Sequence, residues 1–204
     1  MRRTNMHRIV LLLSLLLVLA ALASAQVPTS GNVFFGYSYF NTNLSGANEC
    51  CALLNDRQNT NGFEASFEGK IVPSLGIVAD FDGHYGSQSV IFPVCPVVGC
   101  VPQPCPNCVV PNGDFSEHNF LFGPRVSFPA GRFRPFGEFL VGVAHANANG
   151  IGTDNSFATA VGGGIDYRII RPIAWRLQGD YVHTSLFGGP QNNVRISTGI
   201  VLRF

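Results

Sequence analysis

Charge is what this sequence has least of. Asp, Glu, Lys and Arg together make up 12% of its 204 residues, against about 25% in an ordinary soluble domain. Lys70 is the only lysine. So few charges cannot cover a water-facing exterior, which weighs against a soluble globular protein. A basic surplus is lacking too. The formal net charge is +1, and nothing in it would attract a nucleic acid. Nor does any apolar run after Ala25 reach the length of about 20 residues that a membrane-crossing helix needs.

The one long apolar run stands at the start. Arg2, Arg3 and Arg8 precede an uncharged stretch from Ile9 to Leu22, followed by Ala23-Ser24-Ala25. That layout predicts a secretory signal peptide over residues 1–25, cleaved after Ala25. A retained anchor is the alternative, but the run is short for a span and small residues follow it where charge would be usual. The mature chain is then expected to run from Gln26 to Phe204 as one domain of 179 residues with a formal charge of −2.

What the rest of the chain has is alternation. In "NGFEASFEGKIV" (61–72), Phe63, Ala65, Phe67, Gly69 and Ile71 share one face of a strand, and Glu64, Ser66, Glu68 and Lys70 share the other. Reading for this period predicts eight strands, at 32–40, 61–72, 75–85, 117–128, 133–145, 157–168, 173–183 and 193–204. Their lengths sit near the 9–11 residues of a tilted transmembrane strand. The connections at 73–74, 129–132 and 169–172 are short, and those at 41–60, 86–116, 146–156 and 184–192 are long. An eight-stranded antiparallel up-and-down transmembrane β-barrel puts all short turns on the periplasmic side and all long loops outside.

Which face meets water decides the setting. One face carries, among others, Phe67, Ile77, Phe81, Phe120, Phe122, Phe139, Val161, Trp175, Leu177, Ile200 and Leu202, with no Asp, Glu, Lys or Arg. Only His118, His145 and His183 interrupt it, near strand ends. The other face holds Glu64, Glu68, Lys70, Asp80, Asp82, Arg125, Glu138, Asp166, Arg168, Arg176, Asp180, Arg195 and Arg203. A lumen this narrow is filled by side chains, so mixed charges inside it are expected to pair as a structural polar network. Phe128, Phe133, Tyr167, Trp175 and Phe204 fall near one rim, and Tyr39, Phe63, Tyr85, Phe120, Phe157 and Tyr181 near the other, as two aromatic girdles. A soluble lipocalin-like barrel shares the alternation but would turn its charges outward.

Three segments resemble the OmpA-like, OmpX-like group of small outer membrane β-barrels. They are "RPFGEFLVGVAH" (134–145), "AVGGGIDYR" (160–168) and the terminal "VRISTGIVLRF" (194–204). The resemblance covers about 32–204. It implies residence in the cell outer membrane, contact with its lipid, a monomeric state and insertion by the β-barrel assembly machinery. It also implies that Phe204 belongs to the C-terminal insertion signal. Unlike the two-domain members of that group, the chain stops at its last strand, so tethering to the cell wall is not expected.

Six cysteines fall in the expected outer loops: Cys50, Cys51, Cys95, Cys100, Cys105 and Cys108. An even number in an exported protein points to disulfides, although sequence cannot choose among the 15 connectivities that six cysteines allow. A four-thiolate zinc site in "CPVVGCVPQPCPNC" and a redox Cys105–Cys108 pair are the other readings. "HTS" (183–185) resembles the His-x-Ser of outer membrane lipid A deacylases, but Asp180 points into the lumen and no later acid could orient His183. No cofactor and no catalytic residue is expected. The reading is a non-enzymatic outer membrane barrel, structural or displaying the cysteine-rich loop 86–116 to an extracellular ligand, with a narrow gated pore as the alternative.

Overall fold

The computed structural model describes residues 30–43, 57–89, 112–148, 152–186 and 189–204. The expected leader and all six cysteines lie outside the described residues. Eight strands follow in order: β1 (Gly31–Asn43), β2 (Arg57–Val72), β3 (Leu75–Ser89), β4 (Asn112–Ser127), β5 (Phe133–Ala148), β6 (Gly152–Ile170), β7 (Ile173–Thr184) and β8 (Gln191–Arg203). Each pairs antiparallel with the next, and β8 returns to β1, so the sheet closes into a barrel with no free edge.

Several strands run beyond their expected ends. β6 has 19 residues and β4 begins at Asn112, where Asn112, Gly113 and Asp114 still pair with Ser89, Gln88 and Ser87. The apolar period stops at the edge of the hydrocarbon, whereas the backbone ladder continues into water with polar side chains. Three connections at one end are short. In the second of them Ala130 and Phe133 exchange backbone hydrogen bonds of 2.8 and 3.0 Å, and Gly131 takes φ 66°, which a side chain would strain. We call this the short-turn end and the opposite one the loop end.

The exterior is apolar. Phe35 and Phe157 are each 65% exposed, and Phe67, Phe120, Phe122, Phe139 and Ile200 are exposed with them. Such a continuous apolar surface far exceeds what a soluble monomer tolerates. Every exposed charged side chain among the described residues (Asp114, Arg132, Arg168 and Arg171) sits at a barrel end. The middle band carries none, as a hydrocarbon-facing surface requires.

The interior departs from a purely polar filling. Phe34, Phe40, Phe115, Phe136, Leu121 and Leu140 also point inward and are buried. Leu121, Leu140, Ala144, Ala158, Ala160 and Val182 form an apolar wall along β4–β7. Opposite them stand the carboxylates of β2 and β3. The small residues of β5 and β6 make room for larger groups: a Cβ on Gly162 would lie 2.1 Å from Asp180 Oδ1.

Candidate functional site

Inward parity brings the charged residues of all strands but β1 into one stack, most readily followed upward from the short-turn end. At the bottom, Arg176 donates to both oxygens of Asp166 (2.7 and 3.1 Å), and Arg203 reaches the same carboxylate at 3.2 Å. Glu68 accepts from Asn32 (2.6 Å), pairs with Lys70, and lies 3.5 Å from Arg125. Lys70 also donates to Ser127 at 2.8 Å. Above this, the Phe136 ring is held between two guanidinium groups, Arg125 and Arg176, each 4.5 Å from its centroid. Phe34 lies 5.0 Å from Arg176 on the other side. The column Phe34–Arg176–Phe136–Arg125 fills this level with cation–π contacts.

The middle level is centred on Arg195. It donates to Asp180 Oδ2 from Nε (3.0 Å) and Nη2 (2.8 Å), to Asp80 at 2.8 Å and to Asp82, with Glu64 at 3.5 Å. The Gln178 side-chain nitrogen faces three carboxylates, Glu64 (3.1 Å), Glu138 (2.9 Å) and Asp180 (2.8 Å). It has only two hydrogens to give. Arg125 secures Glu138 from its other side at 2.6 Å. Charges removed from water this completely are tolerable only when paired, and Arg195 does most of that pairing.

Above Arg195 a relay runs upward. Asn119 donates to Asp82 (2.8 Å), His84 Nδ1 lies 3.1 Å from Asp82, and His84 Nε2 meets the Ser38 hydroxyl at 2.9 Å. Ser197 donates to Glu64, and its oxygen lies 2.9 Å from the Ser38 hydroxyl. The Phe40 ring stacks on His84 at 4.6 Å. Glu117, register partner of His84, is wholly buried beside the Asn119 side chain, and no cation pairs with it among the described residues. Ser38, His84 and Asp82 have the connectivity of a nucleophile, base and acid. Yet all three are fully buried, and Arg195 occupies the second Asp82 oxygen. A cleft of about 590 Å³ at the loop end is lined by Tyr85, Gly86, Asp114, Phe115, Ser116 and Asn147, and by no member of the relay. Among the described residues this cleft does not reach Ser38.

The sequence-expected residues therefore divide. Glu64, Glu68, Asp80, Asp82, Arg125, Glu138, Asp166, Arg176, Asp180 and Arg195 are buried together, and Lys70 and Arg203 are half-buried at the lower mouth. Arg168 does not join them. It has inward parity but stands where β6 ends, exposed, donating to the Gly131 carbonyl at 3.2 Å. His84 and Glu117 also belong to the lumen, although neither is among the charges read from the sequence as luminal. Their signal was their parity with Asp82 and Asn119. In "HTS", His183 turns outward to Asn192 (2.8 Å), Ser185 is exposed, and Asp180 is committed to Arg195. Phe204 lies just past β8, exchanging backbone hydrogen bonds with Gly31 (2.9 and 3.1 Å) and stacking on Phe67. Among the described residues no group of three or more His, Cys, Asp or Glu side chains could hold a metal ion.

A closed barrel with apolar exterior and ionised interior matches several solved structures. Neisserial surface protein A covers 85% of this chain and 97% of its own, with a TM-score of 0.62 at 11% identity. The chain has the fold of the small outer membrane β-barrels. The attachment invasion locus protein Ail of Yersinia pestis gives a TM-score of 0.54 at 15% identity, covering 86% of this barrel and 98% of its own chain. OprG of Pseudomonas aeruginosa gives 0.50 at 11% identity, over 86% and 95%. No protein-family model matches the sequence, and no curated protein matches it significantly. The barrel's own exterior, apolar at mid-height and charged only at its ends, fits that fold's place in the outer membrane.

Proposed function

We propose that this outer membrane barrel is a closed, non-enzymatic scaffold whose work is done by its long loops, above all the cysteine-rich segment 86–116. The observation that carries the reading is the filled lumen. The Phe34–Arg176–Phe136–Arg125 column and the Arg195 cluster occupy successive levels, so the interior serves as a core rather than a passage. A rigid core supports recognition by loops. One protein of similar fold, Ail, has been crystallised with a heparin analogue, which favours surface binding over a purely structural role. Disulfides among Cys50, Cys51, Cys95, Cys100, Cys105 and Cys108 would stiffen the loops further. Insertion by the β-barrel assembly machinery with Phe204 as signal, a monomeric state and a leader over 1–25 belong to the same proposal.

Deleting residues 90–110 tests it. The variant should still insert and migrate faster on gels when unboiled, while binding to host-cell or matrix surfaces is lost. Loss of insertion with no binding phenotype in the wild type would overturn the display role.

A second reading, a narrow gated pore, draws on the excess of carboxylates around Gln178 and the unpaired Glu117. Such a network has alternative pairings available. Steady conductance of the refolded protein in planar bilayers would favour the pore over the closed scaffold.

A further inference from the structure

Among the described residues the short-turn end of the lumen has more cations than its acids can neutralise. Arg132 and Arg171 lie on the second and third short turns, Arg134 opens β5, Arg168 nears the end of β6, and Arg203 ends β8. Backbone hydrogen bonds stitch them into one rim: Arg168 N to Arg132 O at 2.8 Å, and Arg203 N to Pro172 O at 2.8 Å. Arg134 lies within electrostatic reach of Arg203 and Arg168, and of the Glu68 and Asp166 carboxylates that other cations share. The neighbouring acids are already engaged. Asp166 is held by Arg176 and Arg203, and Glu68 by Lys70, Asn32 and Arg125. Among the described residues the side chains of Arg132, Arg134 and Arg171 form no hydrogen bond or direct ion pair, and Arg203 keeps a buried Nε without a partner.

We propose that this rim is an oxyanion site that takes phosphate groups, with Arg132, Arg134, Arg168, Arg171 and Arg203 as its donors. Like charges gathered on hydrogen-bonded backbone repel one another, and a multiply charged oxyanion relieves that repulsion while using the idle donors. Guanidinium groups suit it because their planar forks bind phosphate in bidentate fashion. The level of the rim agrees. Phe128, Phe133 and Tyr167, exposed or half-buried beside these arginines, belong to the aromatic girdle that sits at headgroup height. The phosphate can therefore come from an anionic lipid headgroup or from a soluble anion reaching the mouth.

The test uses the refolded full chain in phosphatidylcholine nanodiscs at low salt. Inorganic phosphate is titrated by calorimetry, and retention of phosphatidylglycerol against phosphatidylcholine is read by native mass spectrometry. Binding of either probe is expected, weakening with salt. Arg132→Gln/Arg171→Gln touches side chains without partners, so the barrel should still fold. It should lose affinity about fivefold per arginine, since each basic side chain near an anionic surface contributes about that factor. Asp114→Asn at the loop end should change nothing. Calorimetric binding without lipid selectivity identifies a soluble anion; selective retention of phosphatidylglycerol that phosphate does not displace identifies the headgroup. Absence of both, or full affinity in the quadruple variant that adds Arg134→Gln and Arg168→Gln in a heat-modifiable barrel, overturns the proposal.

Discussion

Asp180 and Arg195 are register partners on β7 and β8, and one Asp180 oxygen accepts from both Nε (3.0 Å) and Nη2 (2.8 Å) of the guanidinium. The remaining donor of Arg195 serves Asp80 and Asp82. One cation thus holds three aspartates from two strands that are far apart around the barrel. Its geometry ties β3 to β7 and β8 across the lumen, where no backbone hydrogen bond can.

Arg195→Met is therefore expected to be among the costliest substitutions in the chain. It leaves buried carboxylates uncompensated, a loss of about 3–5 kcal/mol. Arg132→Gln, on a turn and without partners, should stay within about 0.5 kcal/mol. Urea titration of both variants in lipid vesicles, followed by tryptophan fluorescence of Trp175, gives the comparison. Equal stabilities would show that the central network is dispensable.

The exterior makes a depth-dependent prediction. Phe122→Arg puts a charge on the middle of the lipid face and should cost about 2–4 kcal/mol. Phe128→Arg, one residue past β4 at the short-turn rim, should cost no more than about 1 kcal/mol. Both residues are well exposed, at 56% and 61%, so neither substitution breaks a packed core. A soluble barrel would instead gain from either change.

The fold was legible because it rests on a period of two. Phe67, Phe122 and Ile200 on one face and Glu64, Asp80 and Arg195 on the other need only strand parity to be sorted, and the alternation of short and long connections supplied the topology. Parity is weaker where aromatic residues are adjacent. Phe34 and Phe35 read alike in the sequence, yet Phe35 faces lipid while Phe34 lies under Arg176. That choice depends on a partner in β7, which no local pattern encodes. Arg168 shows the opposite limit: its parity is inward, but β6 runs out of lumen before its side chain does. Glu117 escaped notice because it is the first residue of the strand expected at 117–128, whereas β4 starts at Asn112 and carries it well inside the barrel. The pairings that cross the lumen join residues far apart in sequence, as for Arg195 with Asp80, whereas Arg176–Asp166 and Arg125–Glu138 join adjacent strands.

Phe136 separates two positively charged groups, so its removal should be felt in the lumen rather than at the surface. Phe136→Ala leaves Arg125 and Arg176 facing a void that only water can fill. A loss of about 3–5 kcal/mol is expected from the deleted ring. If the column is what closes the lumen, planar-bilayer recordings should show little steady current for the wild type and a measurable increase for this variant. Large wild-type conductance would overturn the closed-scaffold reading directly.

The loop cysteines lend themselves to a separation of scaffold from display. Reduction should change the mobility of the boiled, unfolded chain by opening cross-links, while the unboiled barrel keeps its resistance to detergent, because its ladders contain no cysteine. Thiol alkylation counts before and after reduction give the number of disulfides. Zinc bound stoichiometrically to the unreduced protein, with all six thiols free, would replace disulfides by a metal site.

Ser38 provides the sharpest check on the proposed non-enzymatic scaffold. Its hydroxyl touches His84 Nε2 at 2.9 Å, and His84 touches Asp82, which is the order of groups an acyl-transfer enzyme would use. What it lacks is access, because Phe40 stacks on His84 and the serine is fully buried. A fluorophosphonate probe should leave Ser38 unlabelled in the folded barrel. Ser38→Ala should then act only on stability, lowering it by about 1–3 kcal/mol because His84 and Ser197 lose a buried partner. Covalent labelling at Ser38 that disappears in His84→Gln would mean that the relay works as a nucleophile, and the closed scaffold would have to be read as an enzyme with a mobile cap.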